Sequence, residues 1–272
     1  MIKKLTNIPY AFLRFCLETR GLRKLGHAGK SPAFYTPRYP RYGKLSESFT
    51  NQAGEIRIAG FPKSGNVWIT SLIASCLDID VTASKNRCRV THTHECLNDK
   101  DLFNKKILRG AVLLRDLRDV IVSIYHFMNT EHFKKFAGHH HIYNDFESMY
   151  TDFFLPYIFN KRSILETLPT DYVRFGWPVI RYEKFWDNTE AELKRLFQIW
   201  DIEITDEKIR ESIRENSLDS MRAGKGKTTT EVQPTHFRKG GYGNYKEIIP
   251  PHILADIEDR FGDYLRRWGY KI

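Results

Sequence analysis

The sequence predicts an α/β fold, a single domain with a mainly parallel central sheet flanked by helices. Three observations carry that expectation. Residues 56–79 read as a strand, a tight loop and a helix, and residues 111–129 repeat the plan. A third apolar strand, within 178–185, again runs on into helical text. Strands alternating with helices build parallel sheets, because a parallel return needs a crossover connection.

The chain has 272 residues, with 41% hydrophobic and 14% aromatic content, enough for a sizeable core. No internal repeat or linker divides it. Residues 1–54 read as an arm packed on the body, and residues 55–272 as the domain. The opening MIKKLTNIPYAFLRFCLETR is broken at Arg14, and no small-residue cleavage site follows, so it reads as mature chain. Leu5, Ile8, Phe12 and Phe15 fall on one helical face. Packing on the chain's own body is expected there, with peripheral membrane contact as the alternative. Residues 21–54, rich in Gly, Pro, Tyr and Arg, form an irregular lead-in. No apolar run reaches membrane-spanning length. Cys16, Cys76, Cys88 and Cys96 make no dense framework, which points to a reducing, cytoplasmic setting. The net charge of +10, from 43 basic and 33 acidic residues, favours an anionic partner.

In the first unit, Ile56 and Ile58 alternate with Arg57 before Gly60 closes the strand. Pro62 and Gly65 frame Lys63 and Ser64, and from Asn66 apolar residues cover most of a helix. A loop entering a helix N-terminus points backbone N–H groups at one spot, the helix dipole adds positive potential, and Lys63 adds a charge. That is an anion site, most naturally for phosphate. The ATP-binding pattern G-x-x-x-x-G-K-[ST] is not met: Gly60 and Gly65 are spaced correctly, but Asn66 and Val67 follow. The hydroxyl that would hold Mg²⁺ is missing, so no metal is expected. A βα turn with an incidental lysine would look alike.

Residues 87–95, RCRVTHTHE, read as a strand with His92 and His94 on one face. His-x-His-x-Cys lacks a fourth zinc ligand at the usual spacing, so a general base is the more economical role. Ala111–Leu114 is a continuous apolar strand ending at Arg115, and Ser123 lies in the helix that follows. Arg115 and Ser123 suit a second anion, and a structural pair of Arg115 with Asp116 or Asp119 competes. His139–His141 fall in a polar loop, with helical text following to about Thr167. PVIRYEKF (178–185) reads as a strand ending at Tyr182 and Glu183, and Thr189 with Glu192 as a capping box. Residues 223–247 lack a hydrophobic period. They read as a long lid ending in the basic clamp Arg238–Lys239–Gly240–Gly241. The last helix follows Pro250–Pro251. Ligands of parallel sheets bind beyond the strands' carboxyl ends, where Lys63, His94, Arg115 and Tyr182 all fall.

Together these segments resemble the sulfotransferases that use 3′-phosphoadenosine 5′-phosphosulfate (PAPS). FPKSGNVW (61–68) looks like that family's 5′-phosphosulfate loop, and RDLRDVIVSIYHF (115–127) like its 3′-phosphate motif. FRKGGYGNYK (237–246) looks like its R-K-G-x-x-G segment, THTHE (91–95) like its catalytic strand, and RYEKF (181–185) like its Y-E segment. The resemblance covers about residues 56–268, with the motifs in order. It implies that Lys63, Ser64, Gly65, Asn66, Val67 and Trp68 hold the 5′-phosphosulfate side. It gives Arg115, Ser123, Arg238, Lys239 and Gly240 the 3′-phosphate, Tyr182 the adenine side, and His94 the proton of the acceptor. Two departures stand out. Val67 replaces a usual Thr, removing one polar contact, and His92 stands where many members carry Lys. His94 is favoured as base, with His92 as the alternative.

The chemistry expected from the resemblance is in-line transfer of a sulfuryl group from PAPS to a hydroxyl or amine, leaving 3′,5′-ADP. Lys63 stabilises the departing phosphate. The acceptor would be a small molecule, carbohydrate or lipid, not nucleic acid. A P-loop-type nucleotide kinase is the enzymatic rival, disfavoured by the order Lys63–Ser64–Gly65. A basic nucleic-acid-binding protein is the rival from another class, with YTPRYPRY (35–42) its one basic aromatic stretch.

Overall fold

The computed structural model describes residues 45, 48–79, 87–96, 107–131, 133, 143–158, 162–224 and 237–272. The N-terminal segment through residue 44, the histidines 139–141 and the lid residues 225–236 lie outside the described residues. The chain forms two compact units, each discontinuous in sequence. Among the described residues one comprises Leu117–Ile164 and Asn244–Ile272, and the other falls within Pro37–Asp116 and Leu165–Gly243.

The second of these holds the sheet. Its strands are β1 (Gly54–Gly60), β2 (Cys88–Thr93), β3 (Ile107–Leu114) and β4 (Val179–Arg181). They pair in the order β2-β1-β3-β4, and every pairing is parallel. The register sets Ile58 opposite His92 on one side and Ala111 on the other. The mainly parallel α/β expectation is therefore met. All four strands end at one edge. Gly60 leads to the Lys63 loop, Thr93 to His94, Leu114 to Arg115 and Arg181 to Tyr182.

β1 and β3 are buried almost throughout, which is why they read as apolar runs. The helix Asn66–Cys76 is buried over most of its surface and packs with β1, β2 and the helix Asp206–Glu215. Ile56, Ile58, Ile69, Leu72, Ile73, Leu113, Phe185, Leu196, Phe197 and Trp200 form one core cluster. Arg109 is buried within it, donating to the carbonyls of Trp200 (2.6 Å) and Leu108 (2.8 Å). The Trp200 indole donates back to Gly110 O at 3.0 Å, clasping the helix Thr189–Trp200 to β3.

Two local expectations need correction. The strand containing Tyr182 stops at Arg181, and Tyr182 opens a short helix, Tyr182–Asp187. The next helix is capped by Asn188, whose side chain accepts from Ala191 N at 3.0 Å, not by Thr189. Thr189 is already inside the helix and donates its hydroxyl to Phe185 O at 2.6 Å. Glu192 pairs with Arg195 instead of reaching back.

In the other unit the helix Leu117–Met128 packs with Tyr245–Ile248 and Pro251–Arg267. Buried Arg118 binds Glu258 (2.6 Å) and the Lys271 carbonyl (2.7 Å), with its guanidinium 4.3 Å from the Tyr245 ring centroid. Phe146–Met149 continues into a π-helical stretch, Tyr150–Ile158, and helix Arg162–Arg174 runs past Thr167. No helix among the described residues is long and apolar enough to cross a membrane.

Candidate active site

The loop after β1 is built around two left-handed residues, Lys63 (φ +68°) and Gly65 (φ +100°). Gly65 is the N-cap of the helix Asn66–Cys76 and offers no side chain to cap it. A Cβ there would stand 2.6 Å from the Tyr182 ring, so both backbone and packing require glycine. The first N–H groups of an α-helix have no intrahelical acceptor, so this end presents donors. Ser64 and Asn66 are buried. The Asn66 amide donates to Phe61 O at 2.9 Å, bracing the loop. Val67 contributes its carbonyl, which accepts from Thr70 and Ser71. Trp68 donates its indole N–H to Asn216 O at 3.1 Å.

Arg115 ties the site together. It donates to Lys63 O at 3.0 Å and Gly241 O at 3.1 Å, and its guanidinium carbon lies 4.2 Å from the Tyr182 ring centroid. Among the described residues it has no ion pair with Asp116 or Asp119. The Asp116 backbone N–H donates to the Glu183 carboxylate at 2.8 Å, and the Asp119 carboxylate accepts from Tyr245 N at 3.2 Å. Arg115 Nε–H is buried without an acceptor among the described residues. Burial and the Arg115 charge push Lys63 down to about 8. Burial and the same charge lower Arg238. Three cations thus crowd one place without a carboxylate bonded to Arg115. That donor set fits a polyphosphorylated ligand.

His94 Nδ1 stands 2.6 Å from Gly60 O. A carbonyl only accepts, so the neutral ring carries its proton on Nδ1 and its lone pair on Nε2. Burial, His92 and Lys63 outweigh that bond and push His94 down to about 4. The His92 ring lies 5.3 Å from His94 and is exposed, yet surrounding protein still lowers its pKa. Tyr182 is buried between Arg115 and two tryptophans. Trp68 meets it edge-on at 5.8 Å, and Trp186 stacks on it at 6.3 Å. Arg238 and Lys239 are exposed, and Gly240 has φ +71°. Ser123 is half-buried on the helix Leu117–Met128 of the other unit.

Sequence reasoning passed over Trp186, Asp187, Arg222 and Tyr242. Arg222 donates to the carbonyls of Phe237 (2.9 Å) and Arg238. Tyr242 donates to the Asp187 carboxylate, 2.9 and 3.0 Å from its two oxygens. Trp186 falls four residues after Tyr182, in the phase of a core residue, so no local signal marked it.

The fold is that of an α/β protein with a P-loop-like loop at the carboxyl ends of its strands. Residues 78–269 match the model of the sulfotransferase domain, well over half the chain. The chain therefore belongs to the sulfotransferase domain family. Its β1 and Lys63 loop precede the matched stretch. Sulfotransferase 6B1 of Mus musculus is 22% identical over 251 residues, 80% of this chain and 78% of the relative. Cytosolic sulfotransferase 10 of Arabidopsis thaliana is 22% identical over 278 residues, covering 84% and 83% of the two chains. The crystal structure of mouse sulfotransferase SULT7A1 complexed with PAP superposes with TM-score 0.59 at 18% identity, over 80% of this chain and 86% of that one. Retinol dehydratase, in complex with androsterone and inactive cofactor PAP, gives TM-score 0.58 at 11% identity, over 81% and 82%.

Proposed function

We propose that this protein moves a sulfuryl group from PAPS to a hydroxyl or amine of a small-molecule, carbohydrate or lipid acceptor. The observation that carries this reading is the crowding of Lys63 and Arg238 on Arg115, beside a helix N-terminus whose cap residue has no side chain. Such mutual repulsion is relieved by an anion. The PAP named in two structural relatives is the donor product expected from the sequence resemblance.

PAPS supplies a sulfuryl group already activated by its phosphate leaving group. In the proposed assignment the donors of Lys63–Trp68 hold the 5′ side, with Tyr182 and Trp68 against the adenine. Arg115, Arg238, Lys239 and Gly240 take the 3′-phosphate. The acceptor oxygen or nitrogen forms its bond to sulfur as the bond from sulfur to the phosphate oxygen breaks. The Lys63 ammonium faces the charge that develops on that oxygen. His94 Nε2 takes the acceptor's proton, with Nδ1 held by Gly60 O. Burial is the main reason His94 is held low, and an anion beside Lys63 would remove only the smallest of the effects that lower it. A cytoplasmic setting suits the buried free thiols Cys76, Cys88 and Cys96.

Ligand-induced thermal stabilisation tests the reading. 3′,5′-ADP without Mg²⁺ should raise the melting temperature strongly, and ATP or an oligonucleotide should not. Stabilisation by Mg²⁺–ATP with none by 3′,5′-ADP would select the kinase reading instead.

A further inference from the structure

The segment Phe237–Gly243 has no regular secondary structure, and Gly240, Gly241 and Gly243 all have φ between +71° and +80°. Such a backbone has little conformational preference of its own, so its path must be set from outside. Arg222 and Arg115 hold three of its carbonyls, those of Phe237, Arg238 and Gly241. Two further contacts converge on the end of the helix Tyr182–Asp187. Gly240 lies so close over Trp186 that a Cβ would stand 2.4 Å from Cη2 and 2.8 Å from Cζ3 of the indole. Two residues on, the Tyr242 hydroxyl spans both oxygens of Asp187. Trp186 and Tyr242 are among the exposed large aromatics, at 39% and 44% exposure. Their exposure is not explained by the core.

We infer that Trp186 and Asp187 form a docking pad, latched by Tyr242, that positions the Arg238–Lys239–Gly240 clamp for a 3′-phosphate. The inference rests on the proposed role of Arg115 and Arg238 toward that phosphate. Its physical content is a balance of forces. Bringing Arg238 near Arg115 is repulsive until an anion arrives; burial first, and then the Arg115 charge, lower the Arg238 pKa. The pad holds the segment in place against that repulsion. These three residues act through the clamp and are positioning residues.

The test uses the whole chain and two nucleotides, 3′,5′-ADP and 5′-AMP, measured by calorimetry, with hydrogen exchange over 237–243 in the free protein. Tyr242→Phe and Asp187→Ala alter exposed side chains, so the fold should stand. Each should weaken 3′,5′-ADP roughly three- to tenfold, the worth of one hydrogen bond. Each should leave 5′-AMP unchanged and speed exchange across the segment, as should Trp186→Ala. Arg238→Ala is the control. If it removes the preference for 3′,5′-ADP while Tyr242→Phe and Asp187→Ala keep both the preference and the exchange rates, the docking role is overturned. If the unaltered chain shows no preference for 3′,5′-ADP over 5′-AMP, the underlying phosphate assignment fails and takes the docking role with it.

Discussion

Lys63 supplies a prediction whose size follows from its surroundings. Burial and the Arg115 charge put its pKa at about 8 in the free protein, against 10.5 for an ordinary lysine. The charged form is therefore the majority below about 8 and is lost above it. A nucleotide phosphate, already fully ionised above its second pKa of about 6, binds the charged form and restores the lysine to its usual range. Binding at alkaline pH must then take up a proton. At about pH 7.5 roughly three quarters of the molecules carry the charge, and at about pH 9.5 only about 3% do. Affinity for 3′,5′-ADP should fall roughly 25-fold over that interval, about 1.9 kcal/mol. Calorimetry in buffers of different ionisation enthalpy measures both the affinity and the proton. Lys63→Met should bind more weakly throughout and lose the slope. A flat profile in the unaltered chain, or an unchanged slope in Lys63→Met, would refute the argument that this amine meets the anion.

Arg115→Ala should weaken 3′,5′-ADP far more than adenosine 5′-phosphosulfate, and equal losses in a competition assay would remove Arg115 from the 3′-phosphate. His94→Ala should slow single-turnover sulfuryl transfer by roughly two to four orders of magnitude with nucleotide affinity nearly unchanged, while His92→Ala does less. The reverse ranking would make His92 the base. Because His94 is held down to about 4 and must be neutral to act, kcat/KM should stay level from about pH 7 to 5. An acid limb near the ordinary imidazole value would mean the His94 ring is solvated in the working enzyme. Gly65→Ala forces a Cβ into Tyr182 at a positive φ, and urea unfolding should show a loss of roughly 1–3 kcal/mol. No loss would mean the loop can relax.

Most of the sheet was legible because β1, β3 and β4 are local apolar runs and the loops carry Gly and Pro. β1 and the helix from Asn66 needed nothing from the rest of the chain. RYEKF has the composition of a strand, so the sequence alone carries β4 past its end at Arg181. That end is set by partners far away in sequence. The Tyr182 ring packs against Gly65 and Trp68, and Glu183 accepts from Asp116 N. Asn188 and Thr189 are both good capping residues, and composition cannot decide between neighbours. The cations were visible one by one as motif residues. Their crowding on Arg115 was not, because it depends on strand order. The contacts of Trp186 and Tyr242 join positions more than fifty residues apart, beyond any periodicity.

Glu55 shows what the opposite end of the sheet contributes. Burial works to raise its pKa, but bonds from Arg57, Thr91 and Arg89 prevail and hold it lowered. This acid–base knot lies five residues before Gly60 on β1, roughly 17 Å at the usual rise of a strand. That is about two Debye lengths in physiological salt, and Glu55 offsets one of the two arginine charges beside it. The sheet thus acts as an insulator. Its anchoring charges, two arginines on one carboxylate, sit at one pole, and distance and salt screen them from the other, where the cations crowd. Changes at the two poles should be separable, with damage to the knot loosening the sheet and leaving the cations' pull on an anion intact.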